Sequence, residues 1–136
     1  MQDQLRERIT AFLSQNRVGI LSATGSGGIW TTPVRYRNYG LAVECLVPRW
    51  ADVSYHLEQN PQVALVIVVA NEDHDLCWLH YQGLAMVTGT SDWAELLPPK
   101  TPPALAHNLY QLVSLTPQRL DLIDEQRGWG IRDTLE

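Results

Sequence analysis

The hydrophobic pattern of the chain changes its period after the first helix-sized segment. Residues 3–15 carry apolar side chains at helical spacing, and charged or polar side chains occupy the opposite face. The apolar stripe consists of Leu5, Ile9, Phe12 and Leu13. This spacing predicts an amphipathic helix, for which Asn16 is a typical C-terminal stop.

After this helix, short runs of alternating apolar and polar residues are separated by turn-forming glycine, proline and asparagine. The predicted strand segments are 18–24, 29–37, 41–47, 63–70, 76–89, 110–115 and 120–123, with Thr116-Pro117 separating the last two. Evenly spaced antiparallel strands favour a closed sheet. The pattern therefore predicts a mainly β (α+β) domain. Its expected architecture is a six-stranded antiparallel split β-barrel with an N-terminal helix and one helix inserted after the third strand.

The two faces of the segment 29–37 differ in chemistry. One face carries Trp30, Thr32, Val34 and Tyr36, a set that favours core packing. The other face carries Thr31, Pro33, Arg35 and Arg37. Two arginines on one strand face are either anion ligands or part of a solvated barrel exterior, and the residues alone leave both open.

The stretch 47–69 combines a polar turn, a short helix and a strand. Asp52 is a good N-cap, and Pro61 ends the helix because it disfavours a helical backbone at the preceding residue. The segment 63–70 shows no alternation, so both of its faces should be covered. The barrel interior would cover one face, and a helix or a partner subunit would cover the other.

The segment 76–89 is too long for one flat strand, and Gly83 predicts a bulge at which it bends. His80 on this strand is a hydrogen-bonded structural residue, which is the favoured interpretation, or else an axial haem ligand or an acid/base group. The tail 126–132 is short, aromatic and basic. It either closes over a ligand or docks on a partner subunit, and docking is favoured because a short free tail frays.

Composition narrows the function classes. The 136 residues, 45% of them hydrophobic, fit a single domain over residues 1–136. A net charge of −5 argues against nucleic-acid binding, which needs a basic surface. A polar N-terminus and the lack of a long apolar run predict no signal peptide and no membrane span. Cys45 and Cys77 lie in apolar runs and are expected to be reduced thiols of a cytoplasmic protein.

Motifs for other chemistries are missing from the sequence. It contains no HExxH, no GxSxG and no P-loop, and its glycine run 25–28 lacks the spacing of a dinucleotide fingerprint. No close group of ligand residues predicts a metal site.

Four segments in order give the chain a family resemblance. They are VGILSATGSGGIWTTPVRYR (18–37), HLEQNPQVALVIV (56–68), WLHYQGLAMVTG (78–89) and LVSLTPQRLDLID (112–124). In this order the segments resemble the FMN-binding split-barrel proteins related to pyridoxamine 5'-phosphate oxidase. The resemblance covers most of the chain.

The resemblance implies a homodimer that binds FMN in clefts between subunits and acts as an oxidoreductase on a small-molecule substrate. Carried over residue by residue, the flavin ring would lie along the strand that contains Val34, Arg35, Tyr36 and Arg37. The phosphate turn of the family matches residues 47–53, which include the candidate ligands Val47, Arg49 and Trp50. Trp50 would either stack on the ligand or pack the inserted helix against the barrel.

The phosphate turn departs from the family pattern. The family's Ser-x-Lys is replaced by Ala51-Asp52-Val53, which removes a hydroxyl and an ammonium group and adds a carboxylate. Arg49, together with Arg35 or Arg37, is the available replacement charge. The alternative hypothesis is a split barrel without FMN that serves as a dimeric interaction module or binds haem through His80.

Overall fold

A computed structural model describes residues 2–25, 27–49, 53–88, 94–102 and 105–136. The helices are α1 (Gln2–Gln15), α2 (Val53–Gln59) and α3 (Ala106–Leu109). The strands are β1 (Val18–Gly25), β2 (Gly28–Tyr39), β3 (Ala42–Pro48), β4 (Gln62–Ala70), β5 (Leu76–Thr88), β6 (Tyr110–Asp124) and β7 (Asp133–Leu135). Short 3₁₀ turns cover Ala94–Leu96 and Glu125–Arg127.

The sheet closes into a barrel. Its strands follow the order β3-β2-β1-β4-β5-β6-β7, and every adjacent pair is antiparallel. An additional antiparallel pairing between β3 and β6 joins the two sides of the sheet. Six strands therefore form the closed barrel, and β7 lies outside it as a seventh. The predicted fold class is confirmed.

The prediction of two separate strands at 110–115 and 120–123 is wrong. β6 runs without interruption from Tyr110 to Asp124. It stays paired with β5 because a β-bulge accommodates the proline. Gln82 pairs with Arg119 and Gly83 pairs with Pro117, so Gln118 is the extra residue. The predicted bulge at Gly83 is confirmed, and the added residue belongs to the opposite strand.

The long strand β6 also explains why the barrel is split. Its first half pairs with β3 and closes the barrel, whereas its second half pairs with β7. Helix α1 lies against β2 and β7, and its residues Ile9 and Leu13 are fully buried in the barrel core. The apolar stripe predicted for α1 thus fills the opening between these strands. The sequence pattern did not predict β7, which is only three residues long.

The barrel interior is a single hydrophobic cluster crossed by two tyrosines. The Tyr36 hydroxyl donates to the Leu13 carbonyl at 2.8 Å, and the Tyr81 hydroxyl donates to the Leu41 carbonyl at 2.5 Å. Burial is the main reason that the pKa of each phenol is raised, so both remain protonated donors. Both cysteines are free thiols, as expected.

The outside of the barrel is covered unevenly. A second cluster of Leu46, Leu96, Ala106 and Leu112 packs residues of the segments 94–102 and 105–109 over β3 and the first half of β6. The outer face of β1 and β4 has no such cover within the described part of the chain, and Val18 and Val68 are 55% and 54% exposed. Within one chain, the prediction that both faces of 63–70 are covered therefore holds only for the inner face.

In the described segments, no helix combines the length and the apolar character that crossing a bilayer requires.

Candidate functional site

The uncovered side of the barrel presents one continuous row of outward-facing residues. Backbone pairing places Pro33 opposite Ile20, Ile20 opposite Val66, Val66 opposite His80, and His80 opposite Asp121. We call the surface formed by this row together with Val18 and Val68 the open face. Its positions on β2, β1 and β4 are apolar, Asp121 carries charge at the β6 end, and Arg35 lies beside Val18 on the β2 side.

Arg35 lies at the β2 end of the open face. It is paired with Val18 on β1 and with Leu46 on β3, and its side chain is exposed. Among the described residues it has no ion-pair partner within 4.0 Å. Its guanidinium group is therefore available to an anion that lies on the open face.

Arg37 points to the same side of β2, but the carboxylates of Glu44 and Glu95 already neutralise its charge. Its Nε donates to Glu44 Oε1 at 2.8 Å and its Nη1 donates to Glu95 Oε1 at 2.7 Å, while the guanidinium lies over the Tyr39 ring. Burial by itself would lower the pKa of Arg37, but the hydrogen bonds to Glu95 and Glu44 raise it above its ordinary value. With two carboxylates bound and 14% of the side chain exposed, Arg37 offers little to a further anion.

Asp121 lies at the β6 end of the row and is 4% exposed. It accepts the Thr134 hydroxyl at 2.5 Å and Arg119 Nε at 3.2 Å, and Arg132 Nε is 3.7 Å away. Burial by itself would raise its pKa, but these hydrogen bonds outweigh it and hold the pKa below its ordinary value. A fixed negative charge therefore lies on the strand next to His80. Sequence reasoning missed Asp121, and the only signal was its spacing from Arg119.

Comparison with known proteins identifies the fold. No protein-family model and no curated protein sequence matches the chain. Solved structures do match. One is a protein from Clostridium acetobutylicum related to general stress protein 26, of the pyridoxinephosphate oxidase family (TM-score 0.71, 11% identity, covering 100% of this chain and 96% of that one). Another is a FAD-binding protein from Mesorhizobium loti, with a TM-score of 0.68 at 16% identity. The alignment covers 84% of this chain and 90% of that one. The chain has the split-barrel fold of the pyridoxamine 5'-phosphate oxidase-like proteins.

A third match, a haem-binding protein from Mycobacterium smegmatis, shares the split barrel but is longer. Its TM-score is 0.67 at 20% identity, and the alignment covers 96% of this chain. The chain spans 56% of the length of that protein. Sequence identities this low describe the fold and leave the bound group open.

The split barrel separates the predicted ligand residues into two sets. The side chains of Val34, Tyr36 and Val47 point into the core and are at most 3% exposed, so a flavin contact at these positions would involve backbone atoms. Arg35 and Arg37 point outward. Arg49 is exposed at the end of β3, where it makes an interaction of its own.

Of the turn that departs from the family pattern, the structure describes residues 47–49 and 53. Trp50, Ala51 and Asp52 lie outside the described residues, so their predicted roles stay predictions. Helix α2, which follows, ends at Gln59, as Pro61 predicted, and its Leu57 is buried in the barrel core. The helix-to-strand junction that supported the resemblance therefore has the expected structure.

Proposed function

We propose that the chain binds FMN on the open face, in a cleft formed with a second copy of the chain, and acts as an oxidoreductase on a small molecule. The observation that carries this proposal is that apolar residues of the open face, Val18, Ile20 and Val66, lie beside the exposed Arg35. Arg35 has no ion-pair partner among the described residues. A flat ring needs an apolar surface, and a phosphate needs a cation beside it. The fold is shared with a FAD-binding protein and with a member of the pyridoxinephosphate oxidase family.

The same face supports a homodimer. Val18, Ile20 and Val68 are 55%, 39% and 54% exposed within one chain, and they lie on adjacent strands. Contiguous exposed apolar residues of this kind mark interaction surfaces. Packing against a second copy would also supply the outer cover that the unbroken apolar pattern of β4 predicts.

Among the described side chains, Arg35 fits the phosphate of the cofactor. Contacts to the flavin ring would come from backbone groups. Arg35 would hold the phosphate, because the charge of Arg37 is already used by Glu44 and Glu95. When bound, the flavin supplies the redox chemistry. The chain would bind the ring, orient it along β2 and exclude water from it.

Replacing Arg35 with alanine is expected to weaken FMN binding at least tenfold, since a charge-assisted hydrogen bond contributes roughly 1.5–3 kcal/mol. Quenching of flavin fluorescence on titration of FMN with the protein measures the dissociation constant. Arg6→Ala is the matched control, because Arg6 is also exposed and has no described ion-pair partner but lies on α1. Equal affinities of the two variants would refute the role of Arg35.

Two further measurements test the remaining parts of the proposal. A purified protein that releases no flavin on denaturation and takes up no added FMN would rule out the cofactor. Sedimentation of the FMN-loaded protein as a monomer would rule out the shared cleft while leaving FMN binding intact.

A second candidate function is haem binding, and the position of His80 favours it. His80 is half-buried on β5, next to the apolar residues of the open face, and a haem-binding protein shares the fold. A histidine within an apolar surface is a suitable axial ligand for haem iron.

If haem binds there, adding hemin should shift its Soret band, and His80→Ala should abolish the shift. His74→Asn is the control, because His74 lies exposed in the loop between β4 and β5 with a positive φ that asparagine tolerates. An unchanged shift in His80→Ala would exclude His80 as the ligand. If neither FMN nor haem binds, the dimeric interaction module is the remaining hypothesis.

A further inference from the structure

A cleft of about 490 Å³ opens between the start of β5, the end of β6 and the segment that leads into β7. Its apolar walls include Trp78, Ile123, Trp129 and Ile131, and Arg132 lines it as well. We call it the aromatic cleft. Its volume lies within the range of about 300–1,000 Å³ that is usual for small-molecule sites.

One wall of the cleft is formed by a turn that requires glycine at positions 128 and 130. The Ile131 N–H donates to the Gly128 carbonyl at 3.4 Å, and Gly130 has a φ of 80°, the conformation that a type II turn requires of its third residue. Gly128 has a φ of 137°, and a side chain there would meet Ile131. Trp129, held between these glycines, is 96% exposed. An indole displayed in this way is typical of a residue that anchors a binding partner.

Another part of the lining belongs to the barrel sheet. Trp78 on β5 and Ile123 on β6 are paired residues of the continuous sheet, and both are partly buried. Trp78 lines the cleft from the sheet and Trp129 lines it from the turn, so a ring that enters the cleft can contact both indoles.

The polar groups of the cleft favour an anionic ligand. Glu125 Oε1 already accepts the Leu76 N–H at 2.6 Å. Arg132, by contrast, has one described contact, the 3.7 Å approach of its Nε to Asp121, whose carboxylate also accepts Thr134 and Arg119. The Arg132 side chain is 59% exposed. The cleft thus holds a guanidinium group with donors to spare, and a carboxylate that keeps its charge while it accepts one backbone N–H.

We propose that the aromatic cleft binds a small flat aromatic carboxylate, with its ring between Trp78 and Trp129 and its carboxylate on Arg132. A guanidinium group binds a carboxylate through two parallel hydrogen bonds, and indoles stack on flat rings. The cleft is separate from Arg35, because β1 and β4 lie between the strands of Arg35 and Trp78, and it borders the open face at Val68, which pairs with Trp78.

The test uses 2-naphthoate as the probe and 2-naphthylmethanol as its uncharged counterpart. Of the five tryptophan indole N–H signals in a ¹H–¹⁵N spectrum, those of Trp78 and Trp129 should shift saturably with 2-naphthoate. The alcohol should bind about tenfold more weakly. Arg132→Gln should remove the preference for the carboxylate, and Trp129→Ala should weaken 2-naphthoate binding about tenfold.

Controls separate binding from folding and from self-association. Arg119→Gln is matched to Arg132→Gln, because Arg119 also pairs with Asp121 but does not line the cleft, so it should keep the preference. Trp129→Ala should unfold at the wild-type temperature, since the side chain it removes is exposed. The proposal fails if both probes bind equally or if FMN displaces 2-naphthoate competitively. It also fails if the Trp129 signal shifts with protein concentration alone, which would assign the cleft to a second copy.

Discussion

Replacing Tyr81 with alanine is expected to lower the free energy of unfolding by about 3–5 kcal/mol, the usual cost of deleting a buried aromatic side chain. Tyr81 is completely buried, and its hydroxyl donates to the Leu41 carbonyl at 2.5 Å and lies 3.3 Å from the Leu115 carbonyl. The side chain therefore ties β5 to the β2–β3 turn and to β6. Because a domain has only about 5–15 kcal/mol of stability, this change removes a large share of it.

Denaturation in urea followed by circular dichroism measures this loss of stability. Two further variants serve for comparison: one keeps the ring of Tyr81, and the other removes an exposed tyrosine. Tyr81→Phe keeps the ring and should cost about 1 kcal/mol, the net contribution of a hydrogen bond. Tyr55→Ala should change stability by less than about 0.5 kcal/mol, because Tyr55 is 56% exposed. If Tyr81→Ala and Tyr55→Ala unfold at the same urea concentration, Tyr81 does not hold the barrel together.

Replacing Gly83 with alanine is expected to cost about 1–3 kcal/mol, since an added methyl group overfills a packed site. A Cβ at this position would collide with the Thr116 carbonyl oxygen and would lie 3.1 Å from the Tyr81 ring. Thr116 belongs to the paired strand β6, so relief of the collision requires β5 and β6 to separate at the bulge.

The measurement is the unfolding midpoint, with Gly27→Ala as the matched control. Gly27 has nothing within 4 Å of an added Cβ, so this change should be neutral within about 0.5 kcal/mol. An unchanged midpoint for Gly83→Ala would mean that the strands do not approach each other at the bulge as closely as the structure shows.

Elements with a strong local period could be predicted from the sequence. The apolar stripe of α1, the alternation of β1 to β3 and the stop at Pro61 each depend on neighbouring residues in the chain. The bulge at Gly83 belongs to the same group, because a glycine inside a strand pattern indicates a bulge or a close approach of two backbones. For the candidate site, alternation correctly placed Arg35 and Arg37 outside the barrel and Val34 and Tyr36 inside it.

Elements that depend on distant partners could not be predicted in this way. β7 is too short to show a period, and it exists because the second half of β6 offers it an edge. The engagement of Arg37 by Glu95 joins residues 58 positions apart, and the aromatic cleft brings the tail around Trp129 to Trp78. No local pattern contains such pairs.

The sequence by itself thus determined the strand and helix types, the barrel class and the inward or outward direction of most side chains, because a period of two or of 3.6 residues is a local property. Only the tertiary structure decided which outward residues remain available. Within the described part of the chain, it showed that Arg35 has no ion-pair partner, that two carboxylates neutralise the charge of Arg37 and that one side of the barrel is left uncovered. These outcomes follow from strand order and closure, which bring together residues whose separation along the chain carries no information about their distance.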